Sequence, residues 1–324
     1  MSALPVVLDV DTGVDDACAL LLAALHPDLD LRAVTCVGGN APLSDVVRNT
    51  LTVLGTAGRD DVPVAAGSAR PLLESPVDAR HVHGADGMAD LGLPAPSRTA
   101  DARHAVELLH SVVTGAADAG APVTLLPLAP MTNVALFART HPEAFARLGR
   151  VVFMGGGAEI SNATAAAEFN VFHDPEAAAV VLDACAEHEV AVTMYGLDVF
   201  YAPRVGAMDV ERLRALGTPV ADLAAGLVAF HHRRFADDTA TIGDAGAVAM
   251  LLAPDAVRTE RLPVRVELSG TWTRGRTVVD RRTWAGDMGH DPHGVAPASV
   301  DVALEADGPR LARLWLDTVA GGAR

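Results

Sequence analysis

The sequence predicts an α/β fold in which a mainly parallel sheet is flanked by helices on both faces. Short apolar runs of strand length alternate with longer helical segments from residue 4 to about residue 195. This alternation is the pattern of consecutive βα units. Half of the 324 residues are apolar, which is enough for a large core. We find no internal repeat and no linker-like stretch, so we expect one domain spanning residues 1–324.

The individual elements follow from the lengths of the apolar runs and from helix-capping residues. Strands are predicted at 4–8, 31–37, 62–67, 122–126, 151–154 and 190–195. Helices are predicted at 14–25, 44–55, 102–117, from 127–133 onward, 174–185, 204–216, 220–235, from 244 onward and 309–319. Ser44 or Asp45 caps the second helix, and the pair Asp174-Pro175 is typical of a helix start.

Two regions interrupt this alternation. Proline, glycine, histidine and aspartate dominate residues 70–98, which include His83. A loop this long within a domain is usually functional, so we expect it to cover a site. Near the C-terminus, residues 262–268 and 272–280 alternate β-branched and polar residues, which predicts a small β-hairpin around Ser269-Gly270.

The composition excludes several classes of function. A net charge of −16 disfavours nucleic acid and anionic membrane surfaces as partners. The chain contains no lysine, which removes any mechanism that needs one. The three cysteines form no C-x-x-C pair, and no apolar stretch reaches the ~20 residues of a membrane span. We therefore expect a cytoplasmic protein with buried, reduced thiols.

Four aspartates lie within eight residues between the first strand and the first helix: Asp9, Asp11, Asp15 and Asp16. Like charges at such close range oppose ionisation, and a bound cation would remove most of that cost. Asp15 and Asp16 could simply favour a helix N-terminus through its dipole. This alternative explains two of the acids but not four, so the stretch predicts a metal site.

Further polar residues follow other predicted strands. Asp244 begins a later helix, and the strand ends carry Asn40, Leu128, Met154 and Asp198. Ligands of parallel α/β sheets bind at the carboxyl ends of the strands. Carboxylates and backbone carbonyls without paired histidine or cysteine suit Ca²⁺ or Mg²⁺, and irregular loops favour Ca²⁺.

A second polar group follows the triple glycine at 155–157. It contains Asn162, Glu168 and Asn170. Amides beside a carboxylate suit a polyhydroxyl ligand, because each sugar hydroxyl both donates and accepts a hydrogen bond. An ordinary polar loop is the alternative interpretation of these residues.

Taken together, these motifs resemble the calcium-dependent nucleoside hydrolases of the inosine–uridine preferring family. Residues 9–16 match the D-x-D-x-G-x-D-D signature of that family. The resemblance continues in order through 37–40, 83–84, 131–133, 154–156, 168–171 with 174–175, and 273–280. It implies a nucleoside hydrolase-like fold with a Rossmann-like core. It also implies homo-oligomers, either dimers or tetramers.

The resemblance assigns roles to these positions. The predicted Ca²⁺ ligands are Asp11, Asp16, the Leu128 carbonyl and Asp244. The predicted ribose-binding residues are Asp15, Asn40, Met154, Asn162, Glu168, Asn170 and Asp244. Asp11 would take a proton from the metal-bound water, and Asn170 is placed with the catalytic residues as well. The implied reaction is hydrolysis of a ribonucleoside, a small-molecule partner, to ribose and free base.

The sequence departs from the family at one position of chemical importance. Many members have a histidine immediately before the last metal-binding aspartate, where it protonates the leaving base, but this chain has Gly243. His83 and His231 are candidate replacements, since imidazole is an effective acid near neutral pH. A leaving base that needs little help is a second option. The alternative function is a catalytically impaired homologue that only binds nucleoside or ribose.

Two other classes of fold are less consistent with the residues. D-x-D after an apolar strand also opens haloacid-dehalogenase-type phosphatases, but those need a lysine. The glycines at 155–157 lack the G-x-G-x-x-G spacing of dinucleotide-binding folds.

Overall fold

One large sheet organises the computed structural model, which describes residues 3–283 and 296–321. Its strands and those of a small second sheet are β1 (Leu4–Val10), β2 (Leu29–Cys36), β3 (Val64–Ala66), β4 (Thr124–Pro127), β5 (Arg150–Met154), β6 (Val192–Tyr195), β7 (Arg204–Gly206), β8 (Thr239–Thr241), β9 (Val257–Val266), β10 (Thr277–Val279) and β11 (Ala298–Ala306). Within the described residues, the large sheet has nine strands in the order β10-β9-β11-β6-β5-β4-β1-β2-β3, and β7 pairs with β8.

Most of the large sheet is parallel. All neighbouring pairs from β6 to β3 are parallel, and β11 is parallel to β6. The antiparallel pairs of this sheet within the described residues are β9 with β11 and β9 with β10. The predicted fold class is therefore confirmed. Because parallel strands end at the same edge, the residues that follow β1, β2, β4 and β5 meet there.

Helices cover both faces of this sheet. They are α1 (Val14–Leu25), α2 (Leu43–Thr56), α3 (Arg80–His83), α4 (Ala105–Asp118), α5 (Thr132–Thr140), α6 (Pro142–Phe145), α7 (Phe169–His173), α8 (Pro175–Glu187), α9 (Leu197–Phe200), α10 (Ala207–Ala215), α11 (Pro219–Phe235), α12 (Gly243–Leu252) and α13 (Gly308–Val319). None of the helices within 3–283 and 296–321 has both the length and the apolar composition of a membrane span.

The two faces of the sheet bury separate apolar clusters. In β1, Val6 and Leu8 belong to the cluster beneath α1, α2 and α11–α13, whereas Val7 belongs to the one beneath α4, α5 and α8. This division follows from the strand geometry, in which successive side chains point to opposite faces. Trp315 of α13 is fully buried and donates its Nε1 hydrogen to the Cys18 carbonyl of α1 at 2.9 Å. The first and last helices are thereby held together.

Several sequence-based boundaries need correction. The C-terminal hairpin is present, but Val266 of β9 pairs with Thr277 of β10, so ten residues connect the strands. The predicted hairpin around Ser269-Gly270 is therefore confirmed, but its connection is wider than the predicted strands 262–268 and 272–280 implied, and Trp272 lies in this connection with 86% of its surface exposed. Residues 204–206 form β7 instead of starting a helix. The sequence reading also missed β11, whose conformation depends on pairing with the distant strands β9 and β6.

Candidate active site

The turn between β1 and α1 positions the first two predicted metal ligands. Asp11 and Asp16 are fully buried. The Asp16 carboxylate accepts hydrogen bonds from the Gly13 amide at 2.9 Å and from the Asp11 amide at 3.3 Å. Gly13 is the N-cap residue of α1, where free backbone donors and the helix dipole favour a carboxylate. The backbone itself therefore orients Asp16.

Asn40 joins Asp11 to the end of β2. Its backbone amide donates to Asp11 Oδ2 at 2.7 Å, and its Nδ2 donates to Asp11 Oδ1 at 3.0 Å and to Asp16 Oδ2 at 3.1 Å. Gly39 permits this close approach, since a Cβ atom there would lie 2.1 Å from Asp11 Oδ2. The predicted meeting of the β1 and β2 ends is present, and Asn40 bonds to both acids.

A compact group of carboxylates lies between α1 and α12. Oxygen atoms of Asp15, Asp16 and Asp244 lie within 4.8 Å of one another. Burial raises the pKa of Asp244 and of Asp11 well above the ordinary range, and neighbouring aspartates raise it further. The same two causes raise the pKa of Asp16 to about 7. A divalent cation would offset this repulsion, and an oxygen-only donor set suits such an ion, so these residues fit a metal.

Two carbonyls and one further acid lie near the predicted metal ligands. Asp15, which the sequence assigns to ribose, lies in one group with Asp16 and Asp244. The Leu128 and Met154 carbonyls both accept hydrogen bonds from Asn170 Nδ2, at 3.0 and 3.2 Å. Each of these oxygens has a second lone pair, so the hydrogen bonds leave it able to bind a ligand. Asn170 thus joins the ends of β4 and β5.

Glu168 caps the short helix α7 and closes the loop after β5. Its carboxylate accepts hydrogen bonds from the amides of Asn170 at 2.8 Å, Val171 at 3.1 Å and Gly156 at 2.8 Å. Burial raises its pKa to about 7, although these amides act in the opposite direction. Its charge also raises the pKa of Asp244. Glu168 is therefore more ordered than a residue of an ordinary polar loop.

Tyr201 is a site residue that the sequence reading missed. Partial burial raises the pKa of Tyr201, and the charges of Glu168 and Asp15 raise it further. The side chain of Asn162 lies near the Tyr201 hydroxyl and acts to lower this pKa, and Asn162 Oδ1 accepts a hydrogen bond from the Phe169 amide at 2.9 Å. The signal was an aromatic residue, in a chain with few aromatics, shortly after a predicted strand.

His83 and His231 come together beside Asp15 although 148 positions separate them. Their ring centroids are 6.3 Å apart, and both side chains are buried. His83 Nδ1 accepts a hydrogen bond from the Val14 amide at 3.2 Å and lies 3.5 Å from Asp15 Oδ1. A neutral ring that accepts at Nδ1 carries its proton on Nε2.

The Thr241 backbone lies near the ring of His231. His231 Nε2 has no hydrogen-bond partner among the described residues. Burial lowers the pKa of both His83 and His231, although the Thr241 backbone acts to raise that of His231. Arg234, on the same helix α11, donates to the His81 carbonyl of the 70–98 loop at 2.8 Å. The loop predicted to cover the site is therefore tied to the helix that carries His231.

Two other acids at strand ends bind protein groups. Asp9 accepts hydrogen bonds from Thr35 Oγ1 at 2.6 Å and from Asn133 Nδ2 at 2.8 Å, and burial raises its pKa to about 7. Asp198 accepts from the amides of Ala158 and Glu159, at 2.6 and 2.9 Å. Asp9 joins β1, β2 and α5, whereas Asp198 fixes the loop after β5.

Comparison with known proteins shows a family and several enzymes to which this chain is similar. A family model described as inosine-uridine preferring nucleoside hydrolase matches residues 6–313. The pyrimidine-specific ribonucleoside hydrolase RihA of Salmonella agona is 39% identical over 283 residues, which cover 86% of this chain and 89% of that protein. RihA of Photobacterium profundum is 39% identical over 282 residues, with the same coverage of both chains.

Solved structures agree with the sequence matches. A purine-preferring ribonucleoside hydrolase from Gardnerella vaginalis superimposes with a TM-score of 0.86 at 28% identity, covering 98% of this chain and 99% of that one. The plant nucleoside hydrolase PpNRh1 has the same TM-score at 26% identity, with the same coverage.

The parallel sheet with buried acids at its strand ends defines a metal-dependent N-glycosyl hydrolase. The chain belongs to the inosine-uridine preferring nucleoside hydrolase family. The predicted hydrolysis of ribonucleosides is thereby confirmed. No finding favours the alternative of an impaired binding protein.

Proposed function

We propose that this enzyme hydrolyses the N-glycosidic bond of pyrimidine ribonucleosides to ribose and free base, with Ca²⁺ as its cofactor. The observation that carries the proposal is the group of Asp15, Asp16 and Asp244 carboxylates beside the buried Asp11. The sequence left the base open. Relatives named pyrimidine-specific, at 39% identity over most of the chain, support a pyrimidine.

The proposed ligands of Ca²⁺ are Asp11, Asp16, the Leu128 carbonyl and Asp244. Asp15 lies close enough to this group to contribute a further oxygen. Carboxylate and carbonyl oxygens on loops suit Ca²⁺, which accepts six to eight such ligands. When bound, a divalent cation lowers the pKa of a coordinated water and polarises sugar hydroxyls.

Asp11 is the proposed general base that takes a proton from the attacking water. Burial and the neighbouring Asp16 raise its pKa, which makes the carboxylate a stronger base than an exposed aspartate. The two hydrogen bonds from Asn40 fix the orientation of this carboxylate. Asn170 holds the two carbonyls at the ends of β4 and β5 in place, and its amide is close to the reaction centre in this proposal.

The ribose would lie among the remaining polar residues of the site. These are Asp15, Asn40, Met154, Asn162, Glu168, Asn170 and Asp244. Cleavage of a glycosidic bond proceeds through a transition state with oxocarbenium character. The carboxylates around the ring would stabilise its positive charge, and their fixed hydrogen bonds mean that little reorganisation is needed.

His83 and His231 are the proposed proton donors to the leaving base. Because Val14 donates to His83 Nδ1, the proton of the neutral ring is on Nε2. His231 Nε2 is buried without a partner, so it is free to bond to a ligand. His83 would donate the proton that its neutral ring carries on Nε2, whereas His231 would donate from Nε2 as the imidazolium, and the pair replaces the acid that Gly243 cannot supply.

A nucleoside panel tests this proposal. Release of ribose from uridine, cytidine, inosine and adenosine is measured with Ca²⁺ and with a chelator. We expect Ca²⁺-dependent release, fastest with uridine and cytidine, that Asp11→Asn lowers at least about 100-fold. Asp30→Asn, in the exposed Asp30–Arg32 pair on β2, is the matched control and should keep full activity. Faster release from the purine nucleosides would contradict the base preference, and metal-independent release would contradict the cofactor.

We propose further that the chain forms a homo-oligomer, a dimer or tetramer, and acts in the cytoplasm. Its net charge of −16 disfavours binding to nucleic acid or to an anionic membrane surface. Light scattering coupled to size-exclusion chromatography measures the number of subunits. A monomer at micromolar concentration would contradict the oligomer.

A further inference from the structure

A second group of metal-binding side chains lies on the opposite face of the sheet from α1 and α12. Glu107, His110 and His141 each offer one ligand atom, and these atoms lie within 4.8 Å of one another. Glu107 and His110 are three positions apart on α4, a spacing that places two side chains on one face of a helix. His141 comes from the junction between α5 and α6.

The backbone that carries these residues is well fixed. The His141 amide donates to the Phe137 carbonyl at 2.9 Å, and the His141 carbonyl accepts from the Phe145 amide at 2.9 Å. Glu107 lies in the first turn of α4, and the Glu107 amide donates to the His104 carbonyl at 3.0 Å. A ligand held between these positions would therefore connect α4 to the α5–α6 junction without requiring a backbone rearrangement.

The side chains are already in contact with each other. His141 Nε2 lies 3.3 Å from Glu107 Oε1, and the rings of His110 and His141 stack with centroids 4.2 Å apart. All three side chains are accessible to ions, because Glu107 is exposed and the histidines are half-buried. The group is thus partly assembled at a position that solvent can reach.

This group is separate from the carboxylate site. Asn133, which bonds to Asp9, is near the start of α5, whereas His141 follows the end of that helix. Eight residues of helix at ~1.5 Å each separate the two positions by about 12 Å. None of the residues proposed for the reaction belongs to the group of Glu107, His110 and His141. Two of the three donors in this group are imidazole nitrogens, whereas the donors of the other group are all carboxylate oxygens.

The donor set identifies the class of ion. Two imidazoles and one carboxylate form the set that binds Zn²⁺ in several enzymes, and imidazole also suits Cu²⁺, Ni²⁺ and Co²⁺. Ca²⁺ and Mg²⁺ prefer oxygen donors throughout. We propose that Glu107, His110 and His141 bind a divalent transition-metal ion of the zinc class, and that this ion links α4 to the α5–α6 junction.

Binding changes the stacked pair in a way that can be observed. The two imidazole planes are inclined by only 9°, so their ring nitrogens do not point to a common centre. Coordination of one ion by both rings requires at least one of them to rotate about its Cβ–Cγ bond. The ring-current shifts of the His110 and His141 proton resonances should therefore change when the ion binds.

The test is titration of the full chain with Zn²⁺ and with Co²⁺ at pH 7.5 in excess Ca²⁺, which occupies the oxygen site. Calorimetry gives the stoichiometry, and the visible spectrum of Co²⁺ reports nitrogen ligation. We expect one ion per chain, a higher melting temperature, and changed resonances of both histidines. His110→Ala and His141→Ala should each weaken binding at least about tenfold, and Glu107→Gln should weaken it as well.

Matched substitutions decide between this site and others. His188→Ala removes a histidine that follows α8, in a similar position at a helix end, and should leave the stoichiometry unchanged. All variants are compared by circular dichroism without added metal, so that a folding defect is recognised. Absence of saturable binding would overturn the proposal. Binding of undiminished affinity in both His110→Ala and His141→Ala would overturn it too, because the ion would then be elsewhere.

Discussion

The ring of Phe200 occupies the space in which a side chain at position 243 would lie. A Cβ atom built on Gly243 would be 1.9 Å from Cε2 and 2.0 Å from Cζ of Phe200. Phe200 is buried in the core, at the end of α9, and packs edge-on against Tyr201 at 5.1 Å. A histidine before Asp244 therefore has no room in this chain while Phe200 keeps its position.

This relationship predicts strong coupling between the two positions. Gly243→Ala and Gly243→His should each lower the free energy of unfolding by at least about 1–3 kcal/mol, because both add atoms to filled space. Phe200→Ala should cost about 3–5 kcal/mol through the cavity that it leaves. The double variant Phe200→Ala/Gly243→His should be more stable than the sum of the single effects predicts, by at least about 0.5 kcal/mol.

Urea unfolding followed by circular dichroism measures these differences. Gly115→Ala is the matched control, because nothing lies within 4 Å of a Cβ atom at this helical glycine. It should be neutral or stabilising by up to about 1 kcal/mol. Additive effects in the double variant would show that Phe200 does not limit position 243.

A second prediction concerns departure of the base. His83→Ala and His231→Ala should each slow hydrolysis of uridine by about 100-fold or more, which is the usual contribution of a general acid. The loss should be much smaller with p-nitrophenyl riboside, whose leaving group needs no proton. His81→Ala, in the same loop and exposed, is the control because this substitution keeps the backbone carbonyl that accepts from Arg234. Equal losses on both substrates would remove that histidine from the role of acid.

A third prediction links stability to pH and metal. The pKa values of Asp9, Asp16 and Glu168 are raised to about 7, so without metal the folded chain binds more protons than the unfolded chain up to that pH. Its stability must then fall as the pH rises through 7. Buried histidines with lowered pKa values oppose this trend only below about pH 6.5, where unfolded histidine is charged.

The measurement is the melting temperature from pH 6.5 to 8 in chelator and in Ca²⁺. We expect it to fall with pH in chelator and to hold steady or rise in Ca²⁺, because the ion binds the deprotonated carboxylates. Asp16→Asn should reduce the difference between the two curves. A melting temperature that rises with pH in chelator would contradict this explanation.

A fourth prediction concerns Tyr201, whose pKa responds to Asn162, Glu168 and Asp15 of the proposed ribose site. Tyr201→Phe removes the hydroxyl and keeps the packing on Phe200, so stability should change little. The variant would lose one hydrogen bond from this hydroxyl to the substrate, worth about 0.5–1.5 kcal/mol. We therefore expect kcat/KM to decrease by up to about tenfold, mostly through a higher KM. Tyr195→Phe, at a fully buried tyrosine whose hydroxyl donates to the Val199 carbonyl, is the comparison. An unchanged KM in Tyr201→Phe would show that the hydroxyl does not contact substrate.

Much of the fold was predictable because its signals are local. The strands β1 to β6 were found from apolar runs, and most helices were found from their caps and composition. β11 and the wide connection between β9 and β10 were not found, because both depend on pairing between residues far apart in the chain. The extent of the domain, 1–324, stays a prediction.

By itself, the sequence determined the family, the parallel arrangement of the sheet, and the presence of acids at its strand ends. The sequence can indicate that Asp11 and Asp16 lie together because the two residues are five positions apart, in the same turn between β1 and α1. Only the tertiary structure decided that Asn40 holds Asp11, that His83 meets His231, and that Phe200 fills the space above Gly243. These contacts join elements that are distant along the chain, and packing in three dimensions selects them.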